Sequence, residues 1–273
     1  MSKVAVLLPV YRKDHPDYLS LSIDSILNQT FTDFELLIGV DGYIEDNLST
    51  ILKKYEGNSK VEIIRFKENR GLAIVLNDLL DFAKNRGVDY IARMDADDIS
   101  VNSRFKKQVN FLDTHTDIDV VGGAISEIDE IGNSRNKIIV YPASPSECKT
   151  FFSRRNPHAH PAVMFRWSFF DKVGHGYRPE YRQNQDTMLW YDGMMAGTMH
   201  ANIPDVILNF RMTESLFKKR RNGWSFAKKQ FRDRLRINKD LNYGIGADIF
   251  GFAMFCLLIS PTGLRKLAYK IFR

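Results

Sequence analysis

Four short apolar runs, at residues 4–8, 34–40, 61–66 and 90–94, alternate with helix-like segments through the first part of the chain. That rhythm restricts the fold more than any other feature. Each run is too short for a helix and nearly continuous in apolar character, as strands buried on both faces are. Between the first two, Pro16 opens a helix with Leu19, Ile23, Ile26 and Leu27 along one face. Leu72, Val75, Leu76, Leu79, Leu80 and Ala83 keep the i, i+3, i+4, i+7 spacing of a half-buried helix, and Phe105, Val109 and Leu112 mark another after the fourth run. Strands alternating with helices predict an α/β chain: a mostly parallel sheet covered by helices on both faces.

Sheets of this kind bind ligands beyond the carboxyl ends of their strands. Polar residues gather at those ends: Tyr11 and Arg12 after the first, Asp41 after the second, Asn69 and Arg70 after the third, Asp95 and Asp97 after the fourth. The fourth end is the densest, reading Tyr-Ile-Ala-Arg-Met-Asp-Ala-Asp-Asp over 90–98. Carboxylates this close repel one another and call for a compensating cation. Their hard oxygens suit Mg²⁺ or Mn²⁺, which bind one or two carboxylates together with substrate phosphates. The plainer reading of the fragment is a solvated acidic turn, with Asp98 and Asn102 placed to cap the next helix.

The chain has 273 residues and 44% hydrophobic content, enough for an ordered core. Cys148 and Cys256 have neither metal-ligand nor disulfide-framework spacing and suit a reducing cytoplasm. The N-terminus turns polar too soon for a secretory signal, and no apolar run is long enough to span a bilayer. The formal charge of +6 is concentrated late, in Lys218-Lys219-Arg220-Arg221, Lys228-Lys229 and Arg232, Arg234, Arg236. No recognisable nucleic-acid module accompanies it, so a nucleic-acid partner is not expected. An anionic membrane surface or phosphate-rich small molecules remain.

The second half is less regular. Residues 119–123 and 138–141 read as strands, expected as antiparallel additions to the sheet. Arg154-Arg155-Asn156-Pro157 leads through His160-Pro161 to a strand at 163–165, and a helix starts near Asp186 with Leu189 and Trp190 inward. We expect a catalytic domain over 1–215, with a nucleotide-binding half (1–100) and an acceptor half (101–215). A basic helical C-terminal segment, 216–273, follows.

The ordered set Leu-Leu-Pro-Val-Tyr-Arg (7–12), Ser-Ile-Leu-Asn-Gln-Thr (25–30), Glu-Asn-Arg-Gly-Leu (68–72), Arg-Met-Asp-Ala-Asp-Asp (93–98), Arg-Phe-Lys-Lys-Gln-Val (104–109), Asp-Val-Val-Gly-Gly (119–123) and Arg-Arg-Asn-Pro-His-Ala-His-Pro-Ala-Val-Met-Phe-Arg (154–166) resembles the family 2 glycosyltransferases. The likeness is greatest to bacterial exopolysaccharide enzymes of the amylovoran-biosynthesis type. It implies a GT-A fold with a C-terminal helical appendage. The implied reaction is an inverting transfer of a hexose from a UDP-sugar to a lipid-diphosphate-linked saccharide in surface polysaccharide synthesis. The resemblance carries roles onto particular residues. Asp95 falls on the ribose side of the nucleotide, and Asp97 on a divalent cation, Mn²⁺ or Mg²⁺, that bridges the diphosphate. Asp41 falls on the uracil, Tyr11 and Arg70 flank the base, and Pro9 and Arg93 complete the donor-binding set. Asp186 falls on the catalytic base. Beside that resemblance, His160 is a candidate second acid/base or acceptor contact, and the run holding Lys219 and Arg220 can cover the donor diphosphate, meet the lipid diphosphate of an acceptor, or simply be solvated.

Two departures from the family pattern stand out. After the second strand this chain reads Val40-Asp41-Gly42-Tyr43, without the paired aspartates and Gly-Ser common among relatives. At the base, Gln185 replaces the usual Glu before Asp186. Two other functions compete with the transferase. A nucleotidyltransferase normally has a Gly-rich phosphate loop near the first strand, which Pro9-Val10-Tyr11-Arg12 is not. A non-catalytic sugar-nucleotide-binding subunit rests on Gln185 alone. His160, ahead of Pro161, also has a structural reading as the residue that fixes the loop beneath the acceptor site.

Residues 246–260 are strongly apolar yet too few to cross a bilayer. Arg265, Lys266, Lys270 and Arg273 then alternate with Leu264, Leu267, Tyr269, Ile271 and Phe272. An apolar helix followed by a basic amphipathic stretch suits a membrane interface. The expectation is a peripheral protein on the inner face of the cytoplasmic membrane. The competing expectation is a helix packed on the catalytic domain.

Overall fold

The structure, a computed structural model, describes residues 3–213 and 224–260. Lys218 to Arg221, including the expected contacts Lys219 and Arg220, lie outside the described residues, as does the basic stretch after 260. The strands are β1 (Val4–Val10), β2 (Phe34–Val40), β3 (Val61–Arg65), β4 (Tyr90–Arg93), β5 (Ile99–Ser100), β6 (Val120–Ile128), β7 (Ser134–Ile139), β8 (Met164–Arg166) and β9 (His200–Arg211). Eight of them run β3-β2-β1-β4-β8-β6-β9-β5, with β7 paired to β6.

The first four strands are parallel. Their connections, α1 (Pro16–Leu27), α2 (Asp46–Lys53) and α3 (Leu72–Lys84), are crossovers of the kind that parallel strands require. Two apolar layers result. Leu19, Ile23 and Ile26 pack against Val4, Val6 and Leu8 in one, and Val75, Leu76 and Leu79 against Ala5, Leu7 and Leu37 in the other.

Proline is unusual in a central strand because it lacks the ladder N–H. Pro9 is tolerated for a geometric reason. Leu7 accepts the Met94 N–H and Val10 accepts the Asp41 N–H, so the main chain at Pro9 faces the β4 side. Strand pairing with β4 stops at Leu7↔Arg93. The missing N–H therefore falls where β4 has already turned away into the acidic loop.

The second half departs from expectation in one respect. β6 is antiparallel to β7 and β8, but it runs parallel to β9, a long strand that the sequence pattern does not announce. Gly122 of the Asp-Val-Val-Gly-Gly segment is required there, because a side chain would collide with Asn202 and His158. α4 (Arg104–Thr114), α5 (Pro145–Phe152), α6 (Trp167–Val173) and α7 (Gln185–Met195) complete the body. α5 opens on a full capping box, with Ser144 bonded to the Glu147 N–H and Glu147 returning to Ser144.

The C-terminal helices, α8 (Trp224–Asp240) and α9 (Ile245–Ile259), form a hairpin docked on α7 and the segment before it. Tyr181 and Tyr191 donate to Asp233 and Asp240 of α8 at 3.0 and 2.6 Å, and Gln230 donates to Asn184 at 2.7 Å. α9 packs on α8 through Phe231, Phe252 and Phe255. Its far side leaves Ile245, Ile249 and Ile259 exposed, and Phe252 is half-exposed at the edge of the contact. Among the described residues no helix is long and apolar enough to cross a membrane.

Candidate active site

The acidic loop is held from three directions. From α1, Ser22 donates to the Asp95 carbonyl at 2.8 Å, and Ser25 accepts the Ser100 N–H at 2.9 Å. Gln29, in the Ser-Ile-Leu-Asn-Gln-Thr segment, donates to Ser100 and the Val101 carbonyl and accepts the Phe105 N–H at 3.0 Å. Gln29 thus satisfies the first turn of α4, whose N-cap Ser103 makes no side-chain cap bond. Asp98 and Asn102 are not the caps that the local sequence suggests.

Asp98 is instead buried, at 1% exposure, and accepts the Arg211 N–H at 2.8 Å. Arg211 also donates through Nε to the Asp97 carbonyl at 2.8 Å and lies over the Tyr18 ring. From beneath, Arg104 donates to the Arg93 and Val163 carbonyls and to Gln108, which reaches on to Val121 and Ala162. Burial lowers the Arg104 guanidinium to about 9, so it stays charged at neutral pH. Arg93, itself buried, pairs with Asp95. Sequence reading singled out neither Ser22, Gln29, Arg104 nor Arg211 as site residues. The conspicuous signal was polar residues inside apolar helix and strand patterns.

Carboxylate oxygens of Asp95, Asp97 and Asp98 lie within 4.8 Å of one another. The Asp98 carboxyl is pushed well above the usual range, by burial first and then by the Asp97 and Asp95 charges. Its Oδ2 is buried without a hydrogen-bond partner. The loop thus gathers three carboxyl groups into a cluster of hard oxygens, one of them buried and unpaired. That donor set fits a small divalent cation.

Asp41 lies at the end of β2, nearly buried, and its carboxylate is fully engaged. Oδ1 accepts the Arg70 N–H at 2.8 Å; Oδ2 accepts the Gly71 N–H at 3.0 Å and Asn69 Nδ2 at 2.8 Å. Asp41 thereby serves the start of α3, whose N-cap Gly71 has no side chain to offer. Gly42 (φ +81°) is needed beside it, because a side chain there would meet the Asn69 backbone. The Arg70 side chain lies over Phe66 and pairs with Asp78. Tyr11 follows β1, and its N–H donates to Asp14 at 2.7 Å.

In the second half of the chain, Asp186 sits in the first turn of α7 and accepts Asn156 Nδ2 at 2.9 Å. Thr187 donates to Asn156 Oδ1 at 3.1 Å, which fixes the amide orientation. Gln185 Oε1 is buried without a partner. His160 is buried, bonded through Nε2 to Tyr177 at 2.8 Å; burial, then the Arg93 charge, holds it well below the ordinary histidine range. That geometry favours the structural reading of His160. Burial raises the Tyr177 phenol, with the Asp186 and Asp95 charges adding to that shift and the Arg93 charge opposing it.

A half-parallel sheet continued by antiparallel and crossed strands, with carboxylates at its carboxyl edge, defines the GT-A type of α/β fold. The profile of glycosyl transferase family 2 matches residues 5–175, and the chain belongs to that family. It is 31% identical to the amylovoran biosynthesis glycosyltransferase AmsE of Erwinia amylovora, over 83% of this chain and 82% of that protein. It is 30% identical to an uncharacterized glycosyltransferase of Haemophilus influenzae, over 99% of this chain and 98% of that one. It is 28% identical to the Escherichia coli UDP-Gal:alpha-D-GlcNAc-diphosphoundecaprenol beta-1,3-galactosyltransferase, over 98% and 95% of the two chains. The fold also matches S. aureus TarS (residues 1–349) solved with UDP-GlcNAc, with a TM-score of 0.68 and 15% identity, over 94% of this chain and 72% of that one.

Proposed function

We propose that the chain transfers a hexose from a UDP-sugar to a lipid-diphosphate-linked saccharide, with inversion, in bacterial surface polysaccharide synthesis. The observation that carries this reading is the cluster of Asp95, Asp97 and Asp98 carboxylates at the carboxyl edge of the parallel strands. The galactosyltransferase relative supports the acceptor class, because its name specifies a sugar on diphosphoundecaprenol. AmsE and the O-antigen enzyme WbnJ of Escherichia coli support the polysaccharide role.

The donor's nucleotide lies along the carboxyl ends of β1, β2 and β4. Pro9, Tyr11, Asp41 and Arg70 line the base side; Asp95, backed by Arg93, meets the ribose. Asp97, with its neighbouring carboxylates, would hold the Mn²⁺ or Mg²⁺. When bound, the cation offsets the negative charge that grows on the departing diphosphate. The acceptor hydroxyl oxygen attacks the anomeric carbon from the face opposite the diphosphate. The bond from that carbon to the diphosphate oxygen breaks, UDP leaves with the electron pair, and Asp186 receives the hydroxyl proton. Asn156 holds the Asp186 carboxylate in place for that transfer.

The exposed apolar stripe of α9, beside the basic α8, supports attachment to the inner face of the cytoplasmic membrane, where a lipid-linked acceptor would be presented. The test is UDP release by the purified protein from a set of UDP-sugars, with and without lipid-diphosphate saccharides and Mn²⁺. Acceptor-dependent release, with an inverted linkage by proton NMR, is expected. Release that no acceptor stimulates, or a product of retained configuration, contradicts the reading.

A further inference from the structure

The C-terminal hairpin encloses a cavity of about 110 Å³ against α7. Its walls differ in chemistry. On the α7 side stand Asn184 and Thr187, with Arg154 just beyond α5; α8 adds Asp233 and Arg234, and on the α9 side stand Met254 and Phe255. The polar wall is continuous with the proposed base, because Thr187 bonds Asn156 and Asn156 bonds Asp186. Arg154 also borders an open hollow of about 530 Å³ that includes Lys149. Among the described residues, no hydrogen bond or ion pair engages the Arg154 guanidinium.

We propose that this cleft is the subsite for the lipid diphosphate of the acceptor. Arg154 meets the diphosphate, and the apolar wall of α9 meets the first units of the hydrocarbon chain. The proposal deepens the reading above and rests on its lipid-linked acceptor. A sugar diphosphate lipid carries its charge directly beside its alkyl chain, so its receptor needs a cation beside an apolar wall within reach of the base. The cleft combines those features. Its volume admits only the start of a long chain. The rest must leave the cleft, and the exposed Ile245 and Ile249 on the opposite face of α9 point to a bilayer beside the hairpin as the place where the remainder stays. Gly251 keeps α9 close to α8, since a side chain there would press on the Arg234 side chain.

The test is calorimetric titration of farnesyl diphosphate into the full-length protein without donor, with chelator present so that the metal-dependent diphosphate site stays closed. Farnesol and inorganic diphosphate are titrated in parallel. Farnesyl diphosphate is expected to bind more tightly than either fragment. Arg154→Ala, a change at an exposed side chain, and Met254→Trp, which fills the apolar wall, should each weaken that binding by about tenfold or more. Thermal unfolding verifies that both variants fold. No binding by the intact protein, or unchanged affinity in either folded variant, overturns the proposal. Absence of transfer with farnesyl diphosphate binding intact counts against the transfer reading alone. Transfer to lipid-linked acceptor with no such binding counts against the cleft alone.

Discussion

Asn156 donates from Nδ2 to Asp186 Oδ2 at 2.9 Å, across an interval of 30 residues that includes β8 and α6. The bond holds a carboxylate at the first turn of a helix that has no side-chain cap of its own. A hydrogen bond to a charged group contributes about 1.5–3 kcal/mol. Asn156→Ala should therefore lower kcat roughly tenfold or more and leave the donor Kd unchanged, as expected when a group acts through the base. Steady-state kinetics with donor binding measured separately checks the split; a donor Kd that weakens in proportion to kcat would speak for a general structural role.

Chelation should abolish transfer, and Mn²⁺ or Mg²⁺ should restore it. Asp97→Asn should cost about 10²–10³-fold in rate. Its thermal midpoint should not fall, because the substitution relieves repulsion on the buried Asp98. Full activity in excess chelator would remove the cation from the account.

Acid sensitivity should come in part from a buried histidine pair. His158 bonds Asn202 and His200, and burial holds His158 down at about 4. Burial, then its neighbour His158, also holds His200 well below the ordinary range. An unfolded histidine titrates near ~6.5, so between that pH and about 4 the unfolded chain binds more protons than the folded one. Stability is then fully present above the unfolded value and is lost as pH falls through the window, by roughly 3 kcal/mol for His158. Urea unfolding of the intact protein and of His158→Gln across this range tests it. Equal slopes in the two would rule the pair out.

Ile245 and Ile249 are 78% and 64% exposed on α9, with no packing to lose. Burying each in a lipid interface is worth up to about 2 kcal/mol. Changing both to Glu should release the protein from vesicles containing anionic lipid without shifting its unfolding midpoint. Equal sedimentation of the variant and the intact protein with those vesicles would place the contact elsewhere.

Much of the parallel first half is legible in the sequence, because each buried parallel strand is one apolar run and the core face of α3 repeats cleanly. β9 is not. Asn202, Pro204 and Asp205 break its pattern, and Asn202 is buried only because the Pro142 and Pro157 carbonyls accept its amide. Asp98 reads locally as a helix cap. Its burial depends on Arg211, which arrives 113 residues later at the end of β9. Asn156, between an arginine and a proline, reads as an ordinary loop residue. Its value lies in a tertiary contact with Asp186, and spacing along the chain carries no trace of such a contact. The family motifs do mark the segments that hold Gln29 and Arg104. What those side chains bind becomes visible only when α1, α4 and the acidic loop are brought together.

The central claim is that Asp186 takes the acceptor proton in a single displacement, and the acceptor-dependent transfer rate of Asp186→Asn tests it most directly. With UDP-sugar affinity unchanged, the account predicts a loss of about 10²–10⁴-fold, the usual contribution of a positioned general base. A variant that transfers sugar at the rate of the intact enzyme would contradict it.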